Sequence, residues 1–255
     1  MSRTSLSDIP RSARQPLSGT ALVTGASRGI GRAIGLEFGR AGWTVGVHYH
    51  QRVPEAEDTV REITRTGGHA TAYQADVRHG RQVDAMVEHY YAAWRRIDVL
   101  VCNAGISRSS LLLRLDATEW EEVLATNLTG TFHCIRAAGA AMAKQGDGSI
   151  IVIGSYSGLR GQAGQAAYSA SKAGLLGLAK TAAHELASYH IRVNVVLPGW
   201  QATELSGSAM PAPDDLNDHV LQRTADLGEV ARTVVHLATV RGVSGQVWNL
   251  DSRPL

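Results

Sequence analysis

Long apolar runs are missing from this chain: no stretch of its 255 residues approaches the ~20 consecutive apolar side chains that a membrane-crossing helix needs. With 44% hydrophobic residues it reads as a soluble globular protein, and one domain is expected. Blocks of like charge are missing too. The 25 basic and 23 acidic residues leave a formal net charge of +2, which indicates neither a nucleic-acid surface nor a membrane surface. Cysteine occurs twice, as Cys102 in "IDVLVC" and Cys134 in "GTFHCIRAAGAAM". Both settings are apolar, so buried reduced thiols in a cytoplasmic protein are expected rather than a disulfide. Lysine is the scarcest charge, with Lys144, Lys172 and Lys180 the only lysines among the 25 basic residues.

The opening stretch, "MSRTSLSDIPRSARQPL", scatters Arg3, Arg11 and Arg14 among Ser and Pro without the apolar core of a secretory signal. Residues 1–17 are therefore expected to be a disordered leader and 18–255 the folded domain. From there, short apolar segments ("TALVTG", "WTVGVHY", "HATAYQAD", "IDVLVCNAG", "GSIIVIGS", "IRVNVVLPG", "GQVWNL") alternate with helical patterns near 29–41, 54–66, 79–94, 117–144, 165–188 and 226–239. That alternation predicts a single-domain α/β fold, a Rossmann-type doubly wound parallel sheet with helices on both faces. Ligands in such sheets bind beyond the carboxyl ends of the strands, where strand order reverses.

One such place is "TGASRGIG", which sets Gly25, Ser27, Arg28, Gly29, Ile30 and Gly31 between the first strand and the first helix. Glycine there lets backbone amides approach a pyrophosphate, and the positive end of the helix favours it. A site for NAD usually ends its second strand with an acid that holds the ribose 2′-hydroxyl. Here the segment reads "VHYHQR": Tyr49 takes the place of the acid, while His50, Arg52 and the loop's Arg28 are placed to meet a 2′-phosphate. Arg52 is either one of these partners or a solvated loop charge. Arginine suits phosphate through its planar fork of donors, so NADP(H) is the expected cofactor.

The run "AAYSASKAGLL" carries Tyr168 and Lys172 at i and i+4, on one face of a helix. Small neighbours leave room for a flat ligand. An adjacent ammonium favours the phenolate and is expected to lower the Tyr168 pKa, making it a usable proton donor and acceptor.

Together with these two residues, the ordered set "TGASRGIG", Asp76-Val77, "NAG" at 103–105, Asn127, Ser155 and "PG" at 198–199 resembles the short-chain dehydrogenase/reductase family over nearly the whole chain. The resemblance implies that Ser155 holds the substrate oxygen and Tyr168 transfers the proton. Lys172 would grip the nicotinamide ribose, and Asn127 would anchor a water relay behind it. Asp76 and Val77 would meet the adenine, although an Asp after a strand also suits a helix cap. Asn103, Ala104 and Gly105 would line the adenosine ribose and nicotinamide side, and Pro198, Gly199, Gln201 and Thr203 would wrap the nicotinamide amide. Where Gln201 stands the family more often has an aliphatic residue, so its contact would run through the backbone. No metal is expected.

Within the family the sequence is most similar to the 3-oxoacyl-[acyl-carrier-protein] reductases of fatty-acid and polyketide synthesis, through "NAGISRSSLLLRL", "GLRGQAGQAAYSASKAGLLGLAK" and "ELASYHIRVNVVLPG". Such enzymes reduce a β-ketone with NADPH and are usually homotetramers. Two stretches depart from that pattern. The expected substrate lid near 203–223 lacks a clear apolar stripe, and "NLDSRPL" replaces a glycine pair. Trp200 would either stack on substrate or cover the crevice, and Trp248 would lie in the core or at a subunit interface. Acyl carrier protein is a candidate partner, but "AKQGDGS" and "ASYHIR", expected beside the entrance, offer only Lys144 and Arg192 as fixed positive charges. A reductase of a free small ketone, sugar or alcohol is the alternative enzyme. A non-catalytic cofactor sensor would not need Ser155, Tyr168 and Lys172 together.

Overall fold

The computed structural model describes residues 19–207, 210–212 and 216–254. The proposed leader at 1–17 lies outside these, as do 208–209 and 213–215 of the lid. The elements run β1 (Thr20–Val23), α1 (Gly29–Arg40), β2 (Thr44–Tyr49), α2 (Val53–Arg65), β3 (His69–Gln74), α3 (Gly80–Trp94), β4 (Val99–Cys102) and α4 (Ala117–Leu124). They continue α5 (Gly130–Gln145), β5 (Gly148–Ile153), α6 (Ser157–Arg160), α7 (Ala166–Glu185), β6 (Ile191–Leu197), α8 (Leu227–Thr239) and β7 (Val247–Asn249).

Seven strands form one sheet in the order β3-β2-β1-β4-β5-β6-β7, and every pairing is parallel. Side chains alternate across it. Leu22, Leu100, Cys102, Ile150 and Val152 face a core filled from α3, α5 and α7, while Ala21, Val23, Val99, Val101, Ile151 and Ile153 face a second core from α1, α2 and α8. Burial on both faces explains why these strands read as unbroken apolar runs, each buried Leu, Ile or Val contributing about 1.5–3 kcal/mol. Cys102 and Cys134 are unbridged and buried in the first core. Burial pushes both thiols up, Cys134 to about 12, which keeps them protonated and unreactive.

Helix ends follow local chemistry. Asp116 and Asp226 accept the backbone N–H of Glu119 and Glu229 at 2.8 and 2.9 Å and so act as N-caps of α4 and α8. The helix expected over 117–144 is interrupted by a π turn, Ala125–Thr129, between α4 and α5. The short α6 was not anticipated. Because β1 lies between β2 and β4, the chain reverses its direction of travel across the sheet there, and a crevice opens beyond the two strand ends.

Candidate active site

Two connected cavities of about 290 and 360 Å³ fill that crevice and share Ile30, Asn103, Gly105, Thr203 and Leu205 as walls. The larger is built on the glycine loop. Gly25 has φ +63°, and a Cβ on it would come within 2.9 Å of the Ala104 backbone. A Cβ on Gly31 would collide with the Gly25 carbonyl and the Asn103 side-chain amide. Asn103 stitches the "NAG" loop to the end of β1: its Nδ2 donates to the carbonyls of Thr24 and Gly25 at 2.9 and 3.2 Å, and its own N–H donates to Thr24 Oγ1 at 2.9 Å.

Of the residues expected at the site, Gly31 and Asn127 are the two that do not line either cavity. Gly31 is buried behind the loop. Arg28 and Arg52 come together at one rim as expected, and a carboxylate lies between them. Glu204, next to Thr203, pairs with Arg28 and lies 3.4 Å from Arg52, which also bonds Glu55 at 2.9 Å. Tyr49 is half-buried and lines the same cavity. Asp76 is buried, and although burial opposes its charge, the Arg78 guanidinium and backbone N–H carry its pKa down to about 2. It does not cap α3. That position belongs to His79, and Asp76 accepts the N–H of Arg78 at 3.0 Å instead.

Sequence reasoning missed His48. It is 2% exposed, its Nδ1 accepts from the Gly25 N–H at 2.9 Å, and its Nε2 lies 3.0 Å from the Ala75 carbonyl. A ring bound this way is the neutral Nε2–H tautomer, and burial carries its pKa from 6.5 down to about 4. A polar residue inside the apolar strand "TVGVHY" was the available signal.

In the smaller cavity, Ser155, Tyr168 and Lys172 converge. Lys172 is buried with its Nζ donating to the Ile153 carbonyl at 2.7 Å, and burial lowers its pKa from 10.5 to about 8. The expected lowering of the Tyr168 pKa does not occur. Its hydroxyl is pushed above the usual value by burial, with only a hydrogen bond to Ser155 acting the other way. Lys172 Nζ lies 5.6 Å from the ring centre, and burial keeps the Tyr168 hydroxyl protonated. Asn127, in the π turn, bonds the Ile106 N–H and C=O at 2.8 and 2.9 Å and the Ser171 hydroxyl at 3.0 Å. Its side chain is thereby committed to fixing the "NAG" segment against α7.

The Gln201 side chain is buried and donates to the carbonyls of Pro198 and Ala225 at 2.7 and 3.1 Å, while its own carbonyl accepts from the Thr203 N–H and the Ser206 hydroxyl at 2.8 and 2.7 Å. Trp200, Pro198, Gly199 and Thr203 line the cavity, while Trp248 packs on the core that contains α1 and α8. One expectation is corrected. Residues 143–149 and 187–192 lead into the amino ends of β5 and β6, whereas Ser155 and Pro198 follow the carboxyl ends. In parallel strands those are opposite ends of the sheet, so the two segments do not flank this chain's own cavity. Arg192 is moreover 13% exposed and paired with Asp147 at 3.3 Å.

A nicotinamide dinucleotide fits this crevice. Gly25 and Gly31 leave no room for side chains where backbone must approach a pyrophosphate, α1 opens with free N–H groups, and the cavity is continuous from Asp76 to Lys172. The comparisons agree: the pattern that defines the short chain dehydrogenase family matches residues 19–214, and the chain belongs to that family of oxidoreductases, which work with a nicotinamide cofactor.

It is 44% identical over 234 residues to a 3-oxoacyl-[acyl-carrier-protein] reductase of Synechocystis sp., spanning 91% of this chain and 94% of the relative. A Staphylococcus epidermidis protein of the same description is 41% identical over 239 residues, spanning 91% and 97%. Among solved structures, a putative short-chain alcohol dehydrogenase from Sinorhizobium meliloti superposes with a TM-score of 0.87 at 30% identity, covering 94% of this chain and 97% of that one. A dehydrogenase/reductase from the same organism gives 0.85 at 33%, covering 94% and 96%.

Proposed function

We propose that this protein is an NADPH-dependent ketoreductase whose substrate is a 3-oxoacyl thioester, reduced to the 3-hydroxyacyl product. The observation that carries the reading is the convergence of Ser155, Tyr168 and Lys172 in one cavity continuous with the glycine loop. The reductase relatives support the substrate class. NADPH is favoured over NADH because two arginines, Arg28 and Arg52, meet at the rim where an NAD site would present an acid at Tyr49.

When bound, the cofactor supplies the hydride. Gly25, Ser27, Gly29 and Ile30 would hold its phosphates, Asp76 and Val77 its adenine end, and Pro198, Gly199, Thr203 and the Gln201 backbone N–H its nicotinamide end. Ser155 donates a hydrogen bond to the substrate carbonyl oxygen. Tyr168, kept protonated by burial, donates its proton to the same oxygen as negative charge develops there. Both bonds strengthen towards the transition state and so lower the barrier. Lys172 holds the nicotinamide ribose, and Asn127 keeps the "NAG" segment and α7 in register. A cytoplasmic homotetramer is the assembly this reading carries.

The test is NADPH oxidation, followed by absorbance, with the N-acetylcysteamine thioester of 3-oxobutanoate. Turnover yielding the 3-hydroxy thioester supports the reading, and turnover restricted to free ketones or sugars with NADPH, or to free alcohols with NADP+, replaces it with the alternative enzyme.

A further inference from the structure

The C-terminal stretch "NLDSRPL" places an arginine in the wall of the cavity that holds Ser155 and Tyr168. The Arg253 guanidinium lies 4.0 Å from the centre of the Tyr156 ring, and the Tyr156 hydroxyl donates to the Pro254 carbonyl at 3.0 Å. Ring and tail therefore clamp each other next to Ser155. In its own plane the guanidinium grips the buried carboxylate of Asp251, with Nε 3.0 Å from each oxygen. Stacking on a ring while bonding in plane is a combination that lysine cannot reproduce. The Arg253 side chain is only 11% exposed, so it is a fixed part of the wall.

Charge decides what this wall can bind. Asp251 and Asp218, the latter 3.8 Å from Arg253 Nη1, at least balance Arg253 and His219, whose ring lies 2.7 Å from Asp218 and 3.3 Å from Asp251. A substrate carboxylate would therefore meet no net positive charge, while the spare N–H groups still offer donors. A second observation points the same way. Gln165, 8% exposed, lines the same cavity, and its Oε1 has no hydrogen-bond partner among the described residues. An orphaned buried acceptor costs about 1–3 kcal/mol, which a donor on the substrate would recover and an alkyl chain would not. Ser107, Ser109 and Ser157 add further hydroxyls.

We propose that Arg253, stacked on Tyr156, and Gln165 are specificity-determining residues, and that the preferred ketone is short, uncharged and carries a hydrogen-bond donor on its acyl chain. The proposal rests on the ketone-reductase reading above.

The test compares kcat/KM under NADPH for four methyl esters: 3-oxobutanoate, 3-oxodecanoate, 4-hydroxy-3-oxobutanoate, and the carboxylate-ended monoester of 3-oxopentanedioic acid. In the wild type the hydroxy ester should exceed the plain four-carbon ester, and the ten-carbon ester should fall below it, each by roughly tenfold. Arg253→Gly should flatten the chain-length step, chiefly through KM. Gln165→Leu should erase the preference for the hydroxy ester and keep the chain-length step. Ratios within one variant cancel any loss of folded enzyme, and Arg253→Gly combined with Asp251→Asn removes the unpaired carboxylate should the single variant fold poorly. A ten-carbon ester as the best wild-type substrate, unchanged ratios in Arg253→Gly, or a preference for the carboxylate-ended ester would each overturn the proposal. Failure of the wild type to reduce any of the four would instead strike the reductase reading itself, and this proposal with it.

Discussion

His48 Nδ1 accepts the backbone N–H of Gly25 at 2.9 Å, so the glycine loop is held from below by a buried, uncharged imidazole. Its folded pKa of about 4 lies below the ordinary 6.5, so the unfolded chain binds the extra proton first as pH falls. The stability this ring contributes is complete above pH 6.5 and is lost between 6.5 and about 4, a loss of about 3 kcal/mol. His48→Asn keeps a donor and an acceptor but has no proton to gain. Chemical denaturation at pH 7 and pH 4.5 should show a smaller acid loss in the variant. Equal losses would remove His48 from this role.

Tyr168→Phe keeps the packed ring and deletes the transferable proton. NADPH binding, read by cofactor fluorescence, should be nearly unchanged, while kcat falls roughly a hundred- to ten-thousandfold. A variant that retains a tenth of the wild-type rate would contradict the assignment.

Lys172 loses its proton at about 8 rather than 10.5 because it is buried. The pH profile of kcat/KM for NADPH reports the free enzyme, and it should decline as pH rises through about 8. A profile flat to pH 9.5 would show that the charge on Lys172 does not matter for cofactor capture.

Glu204 competes for the arginines that a 2′-phosphate would use. Its pairs are exposed, at 39% for the Arg28 side chain and 59% for Glu204, so each contributes on the order of 0.2–1 kcal/mol. Glu204→Gln should therefore tighten NADPH binding by about two- to fivefold, and Arg28→Ala should narrow the preference for NADPH over NADH. Calorimetric titration with both cofactors measures each effect, and an unmodified enzyme indifferent between them would defeat the NADPH assignment.

Every arginine lining the two cavities faces a carboxylate: Arg28 with Glu204, Arg52 with Glu55, Arg78 with Asp76, Arg108 with Glu122 and Arg253 with Asp251. An acidic carrier protein would find little net charge at this rim, and rim charges act mainly on association rate. One acyl group should be reduced with similar kcat/KM from acyl carrier protein and from a small thiol. A large carrier preference that collapses in high salt would reveal a docking surface outside this rim.

Local pattern made much of this legible. The two-sided burial of strands such as "SIIVI" appears directly as apolar runs, and the glycine loop and the Tyr168–Lys172 pair are each fixed by a few adjacent positions. What escaped depends on closure of the chain in space. Glu204 meets Arg28 across 176 positions and Tyr156 meets Pro254 across 98, and no local signal announces either. The Tyr168 pKa escapes for the same reason: i,i+4 spacing brings the ammonium near, but only the folded environment shows that burial dominates. The π turn at Ala125–Thr129 leaves the 3.6-residue periodicity almost intact, so it too was silent.

That turn has a further consequence for motion. Asn127 binds both backbone groups of Ile106 and the hydroxyl of Ser171, so the strip after the "NAG" loop and the helix that carries Tyr168 share this fastener. Solvent cannot reach the Ile106 amide through a ripple of its own loop. The fastener must first let go of that amide. Hydrogen exchange at the Ile106 amide therefore gauges the release of a side-chain tie rather than the looseness of the loop itself.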